Sequence, residues 1–231
     1  MSLRTAVLRS ARALTPDVRE LTFAPTPRVD HRAGQWVSLK IPRGEEVLAR
    51  SYSIASAPRA DGTFDVAVTL VEGGPGSTFL HAMAPGESLA LGDPMGFFTL
   101  PDALDHPLLF VATGTGVAPM RAMLQDMIAR GVSAPTTLLL GVRTTLDALY
   151  ADEFRAMAAA HPWLRFELTL SRPDPGWTGR AGYVQTHLAE LSAEGCHAYV
   201  CGLNAMLKEV RRALKDSLGF TRDRIHTERY D

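Results

Sequence analysis

The chain lacks the residues that mark an oxidised or metal-binding protein. It has only two cysteines, Cys196 and Cys201, among 231 residues. Two thiols five positions apart, without a secretory signal pattern, are typical of a reduced protein of the cytoplasm. A cysteine-ligated iron–sulfur cluster needs four such ligands, so any such centre would lie on a partner protein. We therefore expect a cytoplasmic protein with no metal site of its own.

The chain also lacks an excess of positive or negative charge, and it lacks long apolar runs. The formal net charge is −1, which gives no electrostatic reason to expect nucleic acid or an anionic membrane as partner. The longest apolar runs, such as residues 108–112, are too short to span a bilayer. Arg4, Arg9 and Arg12 precede the first acidic residue. This pattern is faintly similar to a transit peptide, but an exposed strand is the better interpretation.

The first part of the chain is dominated by short stretches in which apolar and polar residues alternate. These stretches are residues 35–41, 63–70 and 87–91, and clusters of Pro, Gly and Asp separate them at 25–30, 58–62 and 73–76. Several short strands with turn signals between them predict a small antiparallel barrel or sandwich. A helical period appears only near residues 77–84.

The pattern changes after residues 101–107. Apolar runs without alternation occur at 108–112, 137–142, 166–170 and 198–201, and amphipathic helical stretches lie at 120–129, 146–160 and 205–218. Strands buried on both faces that alternate with helices predict a parallel sheet with right-handed crossovers. The sequence therefore predicts two domains, at residues 1–101 and 107–231.

A glycine-rich segment follows the first strand of the second domain. Gly114, Thr115 and Gly116 lead into a helix with Pro119 near its first position. Glycines allow a close approach of the backbone to a pyrophosphate, and the free N–H groups of the helix start bind the phosphates. The alternative is an ordinary tight turn between strand and helix. Its place at the first strand-to-helix junction favours the phosphate site.

The end of the second parallel strand bears on nucleotide choice. A dinucleotide site commonly has an acid there for the ribose 2′-hydroxyl, but this strand ends in Arg143. An arginine would accept a 2′-phosphate. A solvated loop arginine is an equal alternative on this residue alone.

Five short segments resemble, in the same order, the motifs of the ferredoxin–NADP reductase family. They are Gly34-Gln35-Trp36, Arg50-Ser51-Tyr52-Ser53, Gly74-Pro75-Gly76-Ser77-Thr78, Gly114–Pro119 and Tyr199-Val200-Cys201-Gly202. The resemblance runs from about residue 5 to the C-terminus. It implies an N-terminal antiparallel Greek-key β-barrel that binds flavin, followed by a parallel-sheet, Rossmann-like domain that binds the nicotinamide dinucleotide.

The resemblance also implies roles on the flavin side. Arg50, Ser51, Tyr52 and Ser53 match a flavin-binding motif. Arg50 would bind the diphosphate, Tyr52 would lie against the isoalloxazine ring, and Ser53 would donate to flavin N5. Gly76, Ser77 and Thr78 would contribute a helix start to the diphosphate. The alternatives are a surface salt bridge for Arg50, a core aromatic for Tyr52 and an N-cap for Ser77. Many family members have a basic residue near Thr69, but none stands there in this sequence. Arg50 and the helix start are left to hold the diphosphate, so FMN is an alternative to the expected FAD.

On the nucleotide side, the resemblance implies that Cys201 and Gly202 lie beneath the nicotinamide. Cys201 would position the ring and not act as a nucleophile; the alternative is a buried small hydrophobic residue. Near the C-terminus, Glu228 would lie near the hydride path and Tyr230 near the flavin. A frayed charged tail is the alternative there.

Three arginines favour NADPH over NADH as donor. Besides Arg143, Ser171-Arg172 resembles the family's Ser-Arg pair for the 2′-phosphate. Arg180 stands where some bacterial NADPH-dependent members also have an arginine.

The resemblance implies a hydride transfer from NAD(P)H to flavin, followed by electron release to a separate ferredoxin, flavodoxin or oxygenase component. Three alternatives are an electron-transfer subunit with little activity alone, a reductase of free flavin, and a regulatory module that binds nucleotide without turnover.

Overall fold

A computed structural model describes residues 3–230 of the chain. They form two compact units: unit 1 contains residues 3–100 and 118–130, and unit 2 contains residues 101–117 and 131–230. Each unit has its own six-stranded sheet. No helix within these residues is long and apolar enough to cross a membrane.

Unit 1 is built on an antiparallel sheet. Its strands are β1 (Arg4–Thr15), β2 (Val18–Thr26), β3 (Trp36–Arg43), β4 (Glu46–Ser53), β5 (Phe64–Thr69) and β6 (Ser88–Leu91), and its helices are α1 (Pro75–Ala82) and α2 (Ala118–Ala129). The strand order is β4-β3-β6-β1-β2-β5, with β6 returning to lie between β1 and β3. A bridge between Ile54 and Val66 joins the end of β4 to β5, the opposite edge strand. The sheet thus closes into the predicted Greek-key barrel, which removes its free edges.

Alternation along the strands places the core of the barrel. On β3, Val37, Leu39 and Ile41 are buried, and the residues between them are half-buried. These side chains pack with Phe23 and Phe64, whose ring centroids lie 6.1 Å apart. A period of two residues puts one face of each strand inside, so the apolar pattern determines which residues face outwards to a ligand.

Unit 2 is built on a parallel sheet. Its strands are β7 (Leu108–Thr113), β8 (Thr136–Val142), β9 (Leu164–Leu170), β10 (Arg180–Ala181), β11 (His197–Gly202) and β12 (Ile225–Arg229), and its helices are α3 (Ala151–Ala160), α4 (Leu188–Leu191) and α5 (Asn204–Arg212). All paired strands run parallel, in the order β10-β9-β8-β7-β11-β12. The order reverses beside β7, and ligands bind at the carboxyl ends of strands at such a switch point.

Two helices are shorter than predicted. The helix expected at 146–160 begins only at Ala151, because Thr144 and Asp147 form a capping box on a short 3₁₀ turn and Tyr150 takes a left-handed conformation, with φ of 59°. The helix expected at 205–218 is regular to Arg212 and continues as a wider π turn over Ala213–Ser217. Both amphipathic patterns were correct, but local capping determined the boundaries.

Candidate functional site

An arginine and a helix start lie side by side on unit 1. The Arg50 side chain is exposed, and its guanidinium donates a hydrogen bond to the Ala49 carbonyl at 2.9 Å. A Cβ on Gly76 would lie 3.2 Å from Arg50 Cγ and 3.2 Å from Ile41 Cδ1. The structure therefore brings the first turn of α1 against Arg50, as the predicted diphosphate site requires.

The Ser77 hydroxyl contacts the backbone of the turn that precedes α1. Its Oγ accepts from the Val71 N–H at 3.0 Å and lies within hydrogen-bond distance of the Val71 and Gly74 carbonyls. The N-cap of α1 is Gly74, so the N-cap alternative for Ser77 is wrong. The Ser77 hydroxyl fixes the turn before the helix. The N–H groups of the first turn have no intrahelical partner and remain the natural anion donors.

The remaining flavin-motif residues follow along β4. Ser51 and Thr78 are exposed, Tyr52 is half-buried against the barrel core, and Ser53 is buried at the end of the strand, opposite Trp36. Burial raises the pKa of Tyr52, and the neighbouring charge of Arg50 partly opposes this. An exposed permanent cation beside a helix start suits a diphosphate, so the donors of unit 1 fit a flavin dinucleotide.

In unit 2, the glycine loop lies at the switch point of the sheet. Residues 114–117 form one 3₁₀ turn directly after β7. A Cβ on Gly116 would lie 2.4 Å from the Cys201 carbonyl oxygen, so only glycine permits this approach of the loop to β11. Gly114 has φ of +52° and open space where a side chain would stand. Thr115 is half-buried, and Pro119 is the buried second residue of α2.

Thr113 is a candidate that the sequence analysis missed. Within residues 3–230 its Oγ1 is buried and has no hydrogen-bond partner. A Cβ on Gly202 would lie 2.4 Å from this oxygen. An orphaned buried hydroxyl at the carboxyl end of β7 fits a polar ligand there, because such groups are otherwise satisfied. The sequence does carry a signal for this candidate, because a residue with a hydroxyl group stands directly before the glycine loop.

Cys201, Glu228 and Tyr230 come together on neighbouring strands. Cys201 pairs with Glu228 in the parallel register of β11 and β12, and the Tyr230 N–H donates to the Gly202 carbonyl at 3.0 Å. Burial and the Glu228 charge hold the pKa of Cys201 well above its ordinary value, and a hydrogen bond with Tyr230 opposes them. The thiol therefore stays protonated at neutral pH. The frayed-tail alternative is wrong for residues 225–230; Asp231 lies outside the described residues.

Arg143 and Arg172 lie together after β8 and β9. The Arg172 N–H donates to the Arg143 carbonyl at 2.8 Å, and the Ser171 N–H donates to the Val142 carbonyl at 2.9 Å. Both arginine side chains are exposed, and in the described part of the chain neither forms an ion pair. Their charges are available to an anion at this edge of the sheet.

Arg180 has other partners. It donates to Glu167 at 2.8 Å through Nε and to both carboxylate oxygens of Glu190 at 2.7 and 2.6 Å. Glu167 lies three residues before the end of β9, which is about 10 Å back along the strand. A nucleotide phosphate would have to compete with two carboxylates for this guanidinium. Its predicted contact with the 2′-phosphate stays a prediction that these ion pairs disfavour.

Comparison with known proteins finds a family match for each part of the chain. Residues 5–100 match the family described as "Oxidoreductase FAD-binding domain", and residues 110–212 match "Oxidoreductase NAD-binding domain". "Ferredoxin--NADP reductase B" of Sorangium cellulosum is 44% identical over 98% of this chain and 97% of that protein.

Two further relatives extend the comparison. The "Toluate 1,2-dioxygenase electron transfer component" of Pseudomonas putida is 31% identical over 86% of this chain, which spans 56% of that protein. The crystal structure of a ferredoxin NADP⁺ reductase from Neisseria gonorrhoeae, with bound FAD and NADP, shares the fold at a TM-score of 0.85 and 22% identity, covering 99% of each chain. The chain belongs to the ferredoxin–NADP reductase family, whose members are NAD(P)H-dependent oxidoreductases built from an FAD-binding and an NAD-binding domain.

Proposed function

We propose that this protein takes a hydride from NADPH onto bound FAD and passes electrons to a separate acceptor protein. The observation that carries the proposal is the 44% identity, over nearly the whole of both chains, to a protein named as a ferredoxin–NADP reductase. When bound, FAD supplies the hydride acceptor and the capacity to release electrons singly. In this proposal residues 1–101 bind the flavin and residues 107–231 bind the nucleotide.

In this proposal, residues of unit 1 bind and orient the flavin. Arg50 and the first turn of α1 hold the diphosphate, and their proximity on the barrel supports this role. Tyr52 covers the ring, and Ser53, at the buried end of β4, donates a hydrogen bond to the nitrogen that receives the hydride. A family that binds FAD makes FAD the expected cofactor; FMN would use the same ring contacts.

In this proposal, residues of unit 2 bind the nucleotide and position its nicotinamide ring. Gly114, Thr115 and Gly116 receive the pyrophosphate, and Gly202 and Cys201 lie under the ring. Because its thiol stays protonated, Cys201 acts by shape and position and not as a nucleophile. Glu228, beside Cys201 in the strand register, borders the hydride path in this proposal, and Tyr230 is assigned to the flavin ring.

NADPH is the proposed donor because Arg143 and Arg172 stand together with exposed side chains. Arginines bind phosphate dianions through charge-assisted hydrogen bonds, whereas an NADH site usually presents an acid to the 2′-hydroxyl.

The proposed acceptor is a ferredoxin, a flavodoxin or an oxygenase component in the cytoplasm. The names of the relatives support the first and the last of these. The alternatives are a subunit of a larger complex with little activity alone, and a reductase of free flavin.

The absorption spectrum of the purified protein tests the proposal. We expect a yellow protein whose flavin absorption is bleached by NADPH under anaerobic conditions and which then reduces an added ferredoxin or flavodoxin. A folded preparation that stays colourless with excess FAD or FMN would contradict it. Reduction of freely exchanging flavin alone would identify the free-flavin reductase instead.

A further inference from the structure

Helix α2 follows the glycine loop in the chain but belongs to unit 1. The loop ends at Val117, and Ala118 begins the helix. Residues 118–130 form part of the same compact unit as the barrel. Arg121, the fourth residue of α2, is only 5% exposed. An arginine is almost never buried this deeply unless it is paired.

The Arg121 guanidinium lies among acceptors of unit 1. Its Nη1 donates to the Ala55 carbonyl at 2.8 Å and lies 3.2 Å from Asp65 Oδ2 and 3.3 Å from Glu20 Oε2. Both carboxylates are buried. Burial alone would raise the pKa of Asp65, but hydrogen bonds from Arg59 and Thr22, together with the charges of Arg59 and Arg121, lower it. Asp65 is therefore ionised in this cluster at neutral pH.

The carboxylates have other cations, so their charge does not depend on Arg121 alone. Arg59 donates to both oxygens of Asp65, at 2.9 and 2.5 Å, and Arg12 donates to Glu20 at 2.6 Å. Other arginines also pair with the two acids, whereas the hydrogen bond from Arg121 to the Ala55 carbonyl connects α2 to the backbone after β4. That carbonyl lies two residues after Ser53.

A second side chain of α2 holds the same segment. The Ala57 N–H donates to Gln125 Oε1 at 3.1 Å. Arg121 and Gln125 are four residues apart, so they lie on one face of the helix. One side chain donates to residue 55 and the other accepts from residue 57. This pair fixes α2 on the backbone that follows the predicted flavin-contacting serine.

We propose that Arg121 is a positioning residue for hydride transfer to the flavin, because it fixes the backbone that follows Ser53 on helix α2 within unit 1. The inference rests on the proposed function. Arg121 touches neither cofactor nor substrate in this role; it acts through Ala55 on the position of Ser53. Reaction rates depend steeply on the placement of such a side chain, and a displacement of Ser53 by about 1 Å can lower the rate on the order of a hundredfold.

The test separates the two half-reactions. Arg121→Met removes the hydrogen bond to Ala55 while keeping an unbranched side chain of similar reach. We expect flavin reduction by NADPH in stopped flow to slow about tenfold or more. The dissociation constant of NADP⁺, the FAD content and the reoxidation of dithionite-reduced enzyme by ferricyanide should remain as in the wild type. Arg121→Lys should recover part of the rate.

Two further variants, one directly after α2 and one on the helix itself, complete the test. Arg130→Met removes an arginine that pairs with Asp126 near the end of α2 and should leave every rate unchanged. Gln125→Ala keeps the ion cluster and should slow reduction by a smaller factor than Arg121→Met. It keeps the proposal testable if Arg121→Met does not fold.

Hydrogen exchange supplies a readout without turnover. The amides of residues 54–57 should lose protection in Arg121→Met and in Gln125→Ala, but not in Arg130→Met. A wild-type reduction rate in both Arg121→Met and Gln125→Ala would overturn the proposal, as would an equal slowing of reduction and ferricyanide reoxidation. If the wild-type protein itself is not reduced by NADPH or NADH, the proposed function fails instead.

Discussion

Arg172 donates its backbone N–H to the carbonyl of Arg143 at 2.8 Å, so the two arginines leave the sheet together where β8 and β9 end. Their side chains are exposed, whereas Arg180 is bound by Glu167 and Glu190. Of the three arginines that the sequence analysis proposes for a 2′-phosphate, Arg143 and Arg172 are therefore the better candidates, and Arg180 is the poorer one.

We expect Arg172→Ala and Arg143→Ala each to lower kcat/KM for NADPH and to leave kcat/KM for NADH nearly unchanged. A charge-assisted contact contributes about 1.5–3 kcal/mol, equivalent to a loss of roughly tenfold to a hundredfold. Arg180→Gln is the control: it should lower the melting temperature and change the NADPH preference less than twofold. A preference for NADH that Arg172→Ala does not alter would show that these arginines are only solvated charges.

Ser53→Ala should slow flavin reduction about tenfold while leaving the affinity for NADP⁺ unchanged. A hydrogen bond that forms mainly in the transition state lowers kcat and not ground-state binding, and one hydrogen bond contributes about 1 kcal/mol or more. Stopped-flow reduction and an absorbance titration give the two quantities. Ser38→Ala, on the neighbouring strand β3, is the matched control. A wild-type rate in Ser53→Ala would make Ser53 an ordinary strand residue.

Cys201→Ser should impair hydride transfer more than stability. The replacement is nearly the same size, and it stands at the same buried position opposite Glu228 in the strand register. Cys196→Ser is the comparison, because Cys196 is also buried in unit 2 but packs in the core away from the carboxyl edge. Cys196→Ser should lower the melting temperature and leave the rate of hydride transfer unchanged. The reverse outcome for Cys201→Ser, a lowered melting temperature with a normal rate, would leave it a core residue only.

Gly116→Ala should weaken NADP⁺ binding at least about tenfold, or the loop will not fold. The added Cβ would lie 2.4 Å from the Cys201 carbonyl oxygen, which is backbone and cannot rotate away. Displacing the loop by about 1 Å disrupts the close approach that phosphate binding needs. At Gly92 the nearest atom to an added Cβ is 3.9 Å away, so Gly92→Ala should bind normally. Equal affinities in the two variants would contradict the assignment of the loop.

A stack of histidines predicts that unit 2 loses stability in acid. The His106 and His197 rings stack at 3.7 Å, His197 Nδ1 lies 3.2 Å from His226 Nε2, and His226 stacks on Tyr199 at 4.3 Å. Burial, with the neighbouring imidazoles, lowers the pKa of His197 and of His226; Arg224 adds to this at His197, and the carboxylates of Asp105 and Asp223 oppose it there.

Because His197 and His226 bind protons more weakly when folded, the unfolded chain takes up more protons as the pH falls below about 6.5. The free energy of unfolding should therefore be constant above that pH and decline below it, by up to about 1.4 kcal/mol per pH unit for each additional proton. Urea titrations between pH 5 and 8 measure the slope. His226→Gln should flatten it; an unchanged slope in that variant would place the effect elsewhere.

The sequence alone determined the two architectures and the order of the motifs. Alternation along β3 identified the buried face of the barrel, and the unbroken apolar runs of β7 and β8 identified strands covered on both faces. These patterns are local, because the side-chain period of a strand is fixed by its backbone. A glycine pair before a helix likewise indicated a phosphate loop without any knowledge of the partner strand.

Only the tertiary structure decided what each polar group does. Arg180 and Arg172 are indistinguishable as loop arginines, but residues distant in sequence bind one of them and leave the other exposed. The Ser77 hydroxyl holds a turn, and Arg121 is buried against Asp65, which lies 56 positions away in the chain. A side chain's partners depend on which strands and helices pack beside it, and the spacing of residues along one element carries no record of that packing.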